Sequence, residues 1–360
     1  MKITIVGAGA IGGLAGAFMT RAGHDVVLTD RWTEHVDAMA ADGLFIDGVR
    51  GEMKIPVTAV HPAALEGPLD MVLIATKSQH SVEAVEGLVP LMTAETGVVS
   101  FQNGFNEPDL VAALDAAGLP GKKMVIGAIP NYGGALVDPG YIEFVHEGPI
   151  QLGEMDGAET PRLAELASAL SALTEVQLSD HIWGQIWAKE VYASQVVFSA
   201  LVDDRIRNTL GVERYARISG AIVKEALEIA DANGIDVQAF DFFDPANYRV
   251  KTAADTRKLL DNVNHAIWLL KKDQETKPDH QFKKQGSGIW WDIVYRKRPS
   301  ETRSSSGKLI DYGKAVGADT RLNAKLFEMI YEIEDGTREL GFHNYDELEA
   351  YVAACGKELP

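Results

Sequence analysis

Near the start of the chain, Gly7-Ala8-Gly9-Ala10-Ile11-Gly12 follows the spacing G-x-G-x-x-G. That spacing suits a diphosphate. The first glycine allows a tight turn, the second lets the backbone approach a pyrophosphate, and the third lets a helix pack closely on its strand. Amides at the helix start, those of Ala10 and Ile11 among them, then face the phosphates along the helix dipole. Glycines are common, so the pattern is weak alone, but its surroundings fit. A strand is expected at Lys2–Val6, a helix at Ile11–Ala22, and a second strand at Val26–Thr29, followed by Asp30. An acid at that point can accept from ribose hydroxyls. The neighbouring Arg31 could instead pair with a 2′-phosphate. These residues imply a nicotinamide dinucleotide, NAD or NADP, with NAD favoured. FAD ranks lower, because no second flavin-type motif accompanies the turn.

Hydride transfer to a carbonyl leaves charge on its oxygen, so a proton donor and aligning groups are needed. Lys189 is a candidate donor. At 100° per residue it falls in a row with Ile182, Ile186, Ala193, Val196 and Val197. A lysine in an apolar row either snorkels to solvent or is desolvated for a purpose, which lowers its pKa. Asn103-Gly104 follows a buried-strand pattern, at the sheet edge where α/β folds bind ligands, although Asn-Gly is also a turn dipeptide. Glu301 stands in the polar run Arg298–Ser306, which is equally the composition of a solvated loop.

The elements that must position these residues divide the chain. Up to about residue 180, strand and helix alternate. Met71–Ala75 and Val98–Phe101 read as further buried strands, and Met124–Gly153 as antiparallel strands extending the same sheet. This order predicts an α/β fold: a Rossmann domain with a mostly parallel sheet over 1–180. An all-helical domain over 181–360 is expected to carry substrate binding and homodimer formation. Its helices are expected at Ile182–Leu201, Ala216–Asn233, Ala253–Lys271, Lys308–Val316 and Ala324–Gly336, with a loop at 271–287. Two domains suit 360 residues. The formal net charge of −18 disfavours nucleic acid and anionic membranes as partners, while the locally basic stretch 249–303 could steer an anionic organic acid. The best apolar run, Ile186–Val202, contains Lys189 and Glu190 and does not read as a membrane span. Cys355 is the single cysteine, and the nine histidines lack metal-ligand spacing, so no metal is expected. With no signal peptide in view, the expectation is a cytoplasmic protein.

The chain resembles the ketopantoate reductase family. The similarity is carried by GAGAIGG at the start, Thr76-Lys77-Ser78-Gln79, Gln102-Asn103-Gly104, Ile186-Trp187-Ala188-Lys189, and Arg298-x-x-Glu301 followed by Gly307, Gly317 and Asn323. Pro139-Gly140 and Leu152-Gly153-Glu154 add to it. The resemblance implies a Rossmann domain followed by a helical one, with substrate in the cleft between them. It also implies that Lys189 is the general acid, Asn103 positions substrate and nicotinamide, Glu301 contacts the substrate hydroxyl, and Lys77 lies near the cofactor. Arg31 matches the family's NADP-favouring arginine. Three departures stand out. Ala193 and Val197 replace asparagines that the family usually places four and eight residues after its lysine. The family's substrate-carboxylate serine falls loosely at Ser287, and roughly 240–285 is extra sequence. The expectation is therefore an NAD(P)-dependent enzyme acting on an oxo or hydroxy acid other than ketopantoate. Two alternatives remain: a β-hydroxyacid dehydrogenase of the 6-phosphogluconate or 3-hydroxyisobutyrate type, and a non-catalytic NAD(P)-sensing regulator.

Overall fold

The computed structural model describes residues 1–204, 206–239, 243–276 and 287–360. The expected loop at 271–287 falls largely outside the described residues, as do Lys283 and Lys284; the helix before it runs to Thr276. The chain divides into two compact units, Met1–Ile186 and Trp187–Pro360.

The first unit runs β1 (Ile3–Val6), α1 (Ala10–Arg21), β2 (Val26–Thr29), α2 (Thr33–Asp42), β3 (Leu44–Gly48), β4 (Met53–Ile55), β5 (Thr58–Val60), β6 (Met71–Ile74), α3 (Ser81–Leu88) and β7 (Gly97–Ser100). It continues with α4 (Glu107–Ala116), the single turn α5 (Gly121–Met124), β8 (Val125–Pro130), β9 (Gly133–Asp138), β10 (Tyr141–His146), β11 (Ile150–Glu154), α6 (Pro161–Leu170) and β12 (Val176–Leu178). Eight strands form one sheet in the order β12-β11-β8-β7-β6-β1-β2-β5, parallel except where β11 meets β8. Strands β1, β2, β6 and β7 read as apolar runs because helices cover both faces of the sheet.

The expectation that Met124–Gly153 simply extends this sheet needs correction. β8 and β11 do extend it, but β9 and β10 join β3 and β4 in a second sheet, ordered β4-β3-β10-β9. The reason lies in α1, where every residue from Gly12 to Met19 is buried. A helix that is apolar all round needs a cover on each side. The second sheet supplies one: Phe144 of β10 meets Phe18 of α1 edge-on at 6.1 Å.

The second unit is helical among its described residues. Its elements are α7 (Ile182–Ser199, which begins in the first unit), α8 (Ile206–Thr209), α9 (Glu213–Ala232), α10 (Ala253–Thr276), α11 (Gly288–Trp290), α12 (Lys308–Ala315), α13 (Arg321–Glu334) and α14 (His343–Ala354). A π-helical turn at Trp291–Tyr295 follows α11. A buried polar knot ties the unit together. The Glu225 carboxylate of α9 accepts from the amides of Leu322 and Asn323 at the start of α13, and pairs with Lys357. The Ser194 hydroxyl of α7 donates to Asn323 Oδ1 at 2.9 Å. Both satisfy the rule that buried polar groups find partners. No helix among the described residues is long and apolar enough to cross a membrane.

Candidate functional site

In the first unit the predicted residues converge at the carboxyl ends of neighbouring strands β2, β1, β6 and β7. Gly7 turns sharply after β1 with φ +97°, and a Cβ there would lie 2.7 Å from backbone atoms of Ala75 and Thr76. A Cβ on Gly12 would lie 2.2 Å from the Gly7 carbonyl oxygen. Gly9 is different: nothing lies within 4 Å of its Cβ position. Open space over that glycine, and an α1 start with neither a side-chain cap nor an acidic residue in its first turn, fit an approaching pyrophosphate. Ala10 and Ile11, half-buried, form that first turn.

Two side chains that the sequence reading missed hold this turn. His35 of α2 is fully buried, and its Nδ1 accepts from the Gly140 amide at 2.9 Å. That acceptance fixes the tautomer, so Nε2 carries the proton and donates to the Ala8 carbonyl at 2.8 Å. The Tyr132 hydroxyl donates to the Ile11 carbonyl at 2.8 Å, and burial pushes its pKa well above the usual tyrosine value. No sequence motif flags these two; they are single polar residues inside apolar surroundings.

At the end of β2, Asp30 is half-buried and its Oδ1 accepts from the Trp32 amide at 3.0 Å. Arg31 is exposed, with Nη1 3.3 Å from Glu83. Lys77 is exposed at the turn after β6. Asn103 is also exposed, and its backbone is anchored: its carbonyl accepts from Ser78 Oγ at 2.7 Å and from Asn106 Nδ2 at 2.8 Å. The Gln102 amide donates to the Thr76 carbonyl at 2.5 Å and to Ser81 Oγ at 2.9 Å. The two sequence patches around Lys77 and Asn103 are thus one hydrogen-bonded network across adjacent loops.

In the second unit, Lys189 is half-buried on α7 between the buried Ala188 and Glu190. Ala193, one turn on, is half-buried; Val197, a further turn on, is fully buried and belongs to the packing. Trp187 meets Tyr312 of α12 edge-on at 5.0 Å. Glu301 is half-buried in a series of turns leading into α12, and its carbonyl accepts from Ser305 Oγ at 2.9 Å. The run Arg298–Ser306 is therefore ordered structure, with Ser300 also bound to Glu334 of α13. Ser287 caps α11 by accepting from the Trp290 amide. No cluster of His, Cys, Asp or Glu among the described residues could hold a metal.

The family model for ketopantoate reductase PanE/ApbA matches residues 3–157, and the model for the C-terminal part of the same family matches 181–334. The chain belongs to the ketopantoate reductase family. It is accordingly an NAD(P)-dependent oxidoreductase acting on a CH–OH group. A 2-dehydropantoate 2-reductase of Pyrococcus abyssi is 29% identical over 92% of this chain and 97% of that protein. One of Mesorhizobium japonicum is 30% identical over 65% of this chain and 77% of that one. A solved ketopantoate reductase from Ralstonia eutropha shares 26% identity with a TM-score of 0.70, covering 94% of this chain and all of that one. The fold is also that of a D-mandelate dehydrogenase solved with NADH and anilino(oxo)acetate, at TM-score 0.74 and 20% identity, over 94% and 99% of the two chains.

Proposed function

We propose that this ketopantoate reductase family member interconverts an oxo acid and its hydroxy acid using NAD(H), and that its acid is more apolar than ketopantoate. The observation that carries the substrate reading is Ala193, half-buried one helical turn from Lys189, where a methyl replaces an amide. A wall without that hydrogen-bonding group loses selectivity for a small polar acid and leaves room for a larger apolar one. Val197 lends less support, since it is buried in packing. The preference for NAD rests on Asp30: beyond the Trp32 amide its carboxylate keeps acceptor capacity for a ribose hydroxyl, and it repels a 2′-phosphate.

When bound, the nicotinamide supplies or takes the hydride. The remaining chemistry is assigned to the chain. Lys189 gives a proton from Nζ to the carbonyl oxygen during reduction and takes it back during oxidation. The Asn103 side chain, on its anchored backbone, aligns the reacting groups. The Glu301 carboxylate accepts from the substrate hydroxyl. Lys77, exposed beside the glycine-rich turn, assists in holding the cofactor.

Lys189→Met is expected to lower kcat by about 10²–10⁴-fold, with dinucleotide affinity unchanged because the glycine-rich turn is untouched. Turnover near that of the wild type, with the same pH profile, would assign the proton elsewhere. Steady-state kinetics with ketopantoate and with aryl or branched oxo acids test the substrate class. Ketopantoate outperforming all the others would overturn that part of the reading.

A further inference from the structure

The loops that follow β2 and β6 flank the glycine-rich turn, because both strands are hydrogen-bonded neighbours of β1. Arg31 crosses from the first loop to the second. Its Nη2 lies 3.3 Å from His80 Nε2 and its Nη1 3.3 Å from Glu83 Oε2. His80 Nδ1 stands 3.7 Å from that same carboxylate oxygen. The side chains of Arg31 and Glu83 are 64% and 72% exposed, and pairs this exposed contribute little to folding. What the pair does alter is charge at the adenosine end of the turn. Arg31 is the cation beside Asp30, and Glu83 already supplies it with an anion.

A ribose carrying a free 2′-hydroxyl brings no charge to this place. A 2′-phosphate brings close to two negative charges and must share or displace the carboxylate that Arg31 holds. We propose that Glu83 is a specificity-determining residue, disfavouring NADP(H) by occupying Arg31. The inference rests on the dinucleotide reading of this unit and deepens its preference for NAD(H). It assigns the preference to two acids: Asp30 on the strand end and Glu83 at the start of α3, acting through the arginine between them. Glu83 lies in the first turn of α3, so its position is set by a helix rather than by the loop that meets the ligand.

The test is a direct titration of NADH and NADPH into the full-length protein, followed by nicotinamide fluorescence. The proteins compared are the wild type, Glu83→Gln, Arg31→Ala and the double variant. Glu83→Gln is expected to tighten NADPH binding by about three- to tenfold at low salt, the scale of one unit charge acting on a dianion several ångströms away through water. Its NADH affinity should shift less than about twofold. The gain should shrink as salt is added, which a structural effect would not do. It should also be clearly smaller in the Arg31→Ala background, where only the direct repulsion between Glu83 and the phosphate is relieved. An unmoved NADPH affinity in Glu83→Gln, or a gain of undiminished size without Arg31, would overturn the inference while leaving the dinucleotide reading intact. A wild type that binds neither nucleotide would overturn both, and is read without any variant.

Discussion

His35 illustrates how one buried side chain can set the geometry of a site by holding its backbone. Its ring bridges the Ala8 carbonyl within the glycine-rich turn and the Gly140 amide at the start of the β10 hairpin arm, and it is fully buried while doing so. Replacing it with an apolar residue of similar size would leave a buried carbonyl and a buried amide without partners, each costing about 1–3 kcal/mol. His35→Leu is therefore expected to lower the melting temperature and also to weaken dinucleotide binding, since the freed carbonyl belongs to the turn itself. Thermal melts with and without NADH would check this. A stable variant with wild-type affinity would show that the turn holds its shape unaided. Lys189, by contrast, was legible from the sequence as a lysine in an apolar row, and it does sit half-buried on α7. The sequence could not show that Val197, on the same row, is turned fully into packing. A 100° wheel gives direction around one helix and says nothing of what covers each face.

At the scale of elements, the strand–turn–helix around Gly7–Gly12 separates two roles that a glycine can play. Gly12 is required by packing, because a Cβ there would press against the Gly7 carbonyl, which is backbone and has nowhere to go. Gly9 has φ −66° and open space, so alanine fits the fold. Gly12→Ala is expected to destabilise by about 1–3 kcal/mol and to abolish dinucleotide binding. Gly9→Ala should melt like the wild type yet weaken dinucleotide binding by at least about tenfold, because its methyl projects where the pyrophosphate approaches. Loss of stability without loss of affinity in Gly9→Ala would invert this assignment. The same comparison explains which elements were readable. β1, β2, β6 and β7 were found within a residue or so, since continuous apolar runs bounded by turn residues mark covered parallel strands. The second sheet was missed because β3, β4, β9 and β10 are short or half-exposed, and their pairing joins segments about a hundred residues apart. Helix α14 was missed as well; its periodicity is weak, with only Asn344, Tyr345, Leu348 and Val352 buried.

For the molecule as a whole, the −18 is the acidic excess of the sequence, and many of its cations are paired with neighbouring acids. Within the stretch 249–303, Arg249 pairs with Asp231, and Arg296 and Arg298 share Asp292, so part of its basic character is already balanced. In the helical unit these pairs also join elements. Arg338, just after α13, reaches Glu332 on that helix and Glu347 on α14, while Lys325 of α13 pairs with Glu347 at 3.0 Å. The Arg338 guanidinium, aided by Lys325 and opposed by partial burial, pulls the Glu347 carboxyl down to about 2. A carboxyl whose folded pKa lies below its unfolded value of about 4.5 contributes stability above that value and loses it as pH falls toward the folded pKa. Asp319, held low chiefly by Arg321 and further by Lys357, acts in the same direction. At neutral pH, Arg338→Ala should therefore melt below the wild type. The gap should narrow between about pH 4.5 and pH 2, as Glu347 takes up its proton in both proteins. Melting curves followed by circular dichroism across that range would measure it. A gap that stays constant into strong acid would mean that Arg338 joins α13 to α14 through packing and its bond to Asn344, with the Glu347 charge contributing nothing.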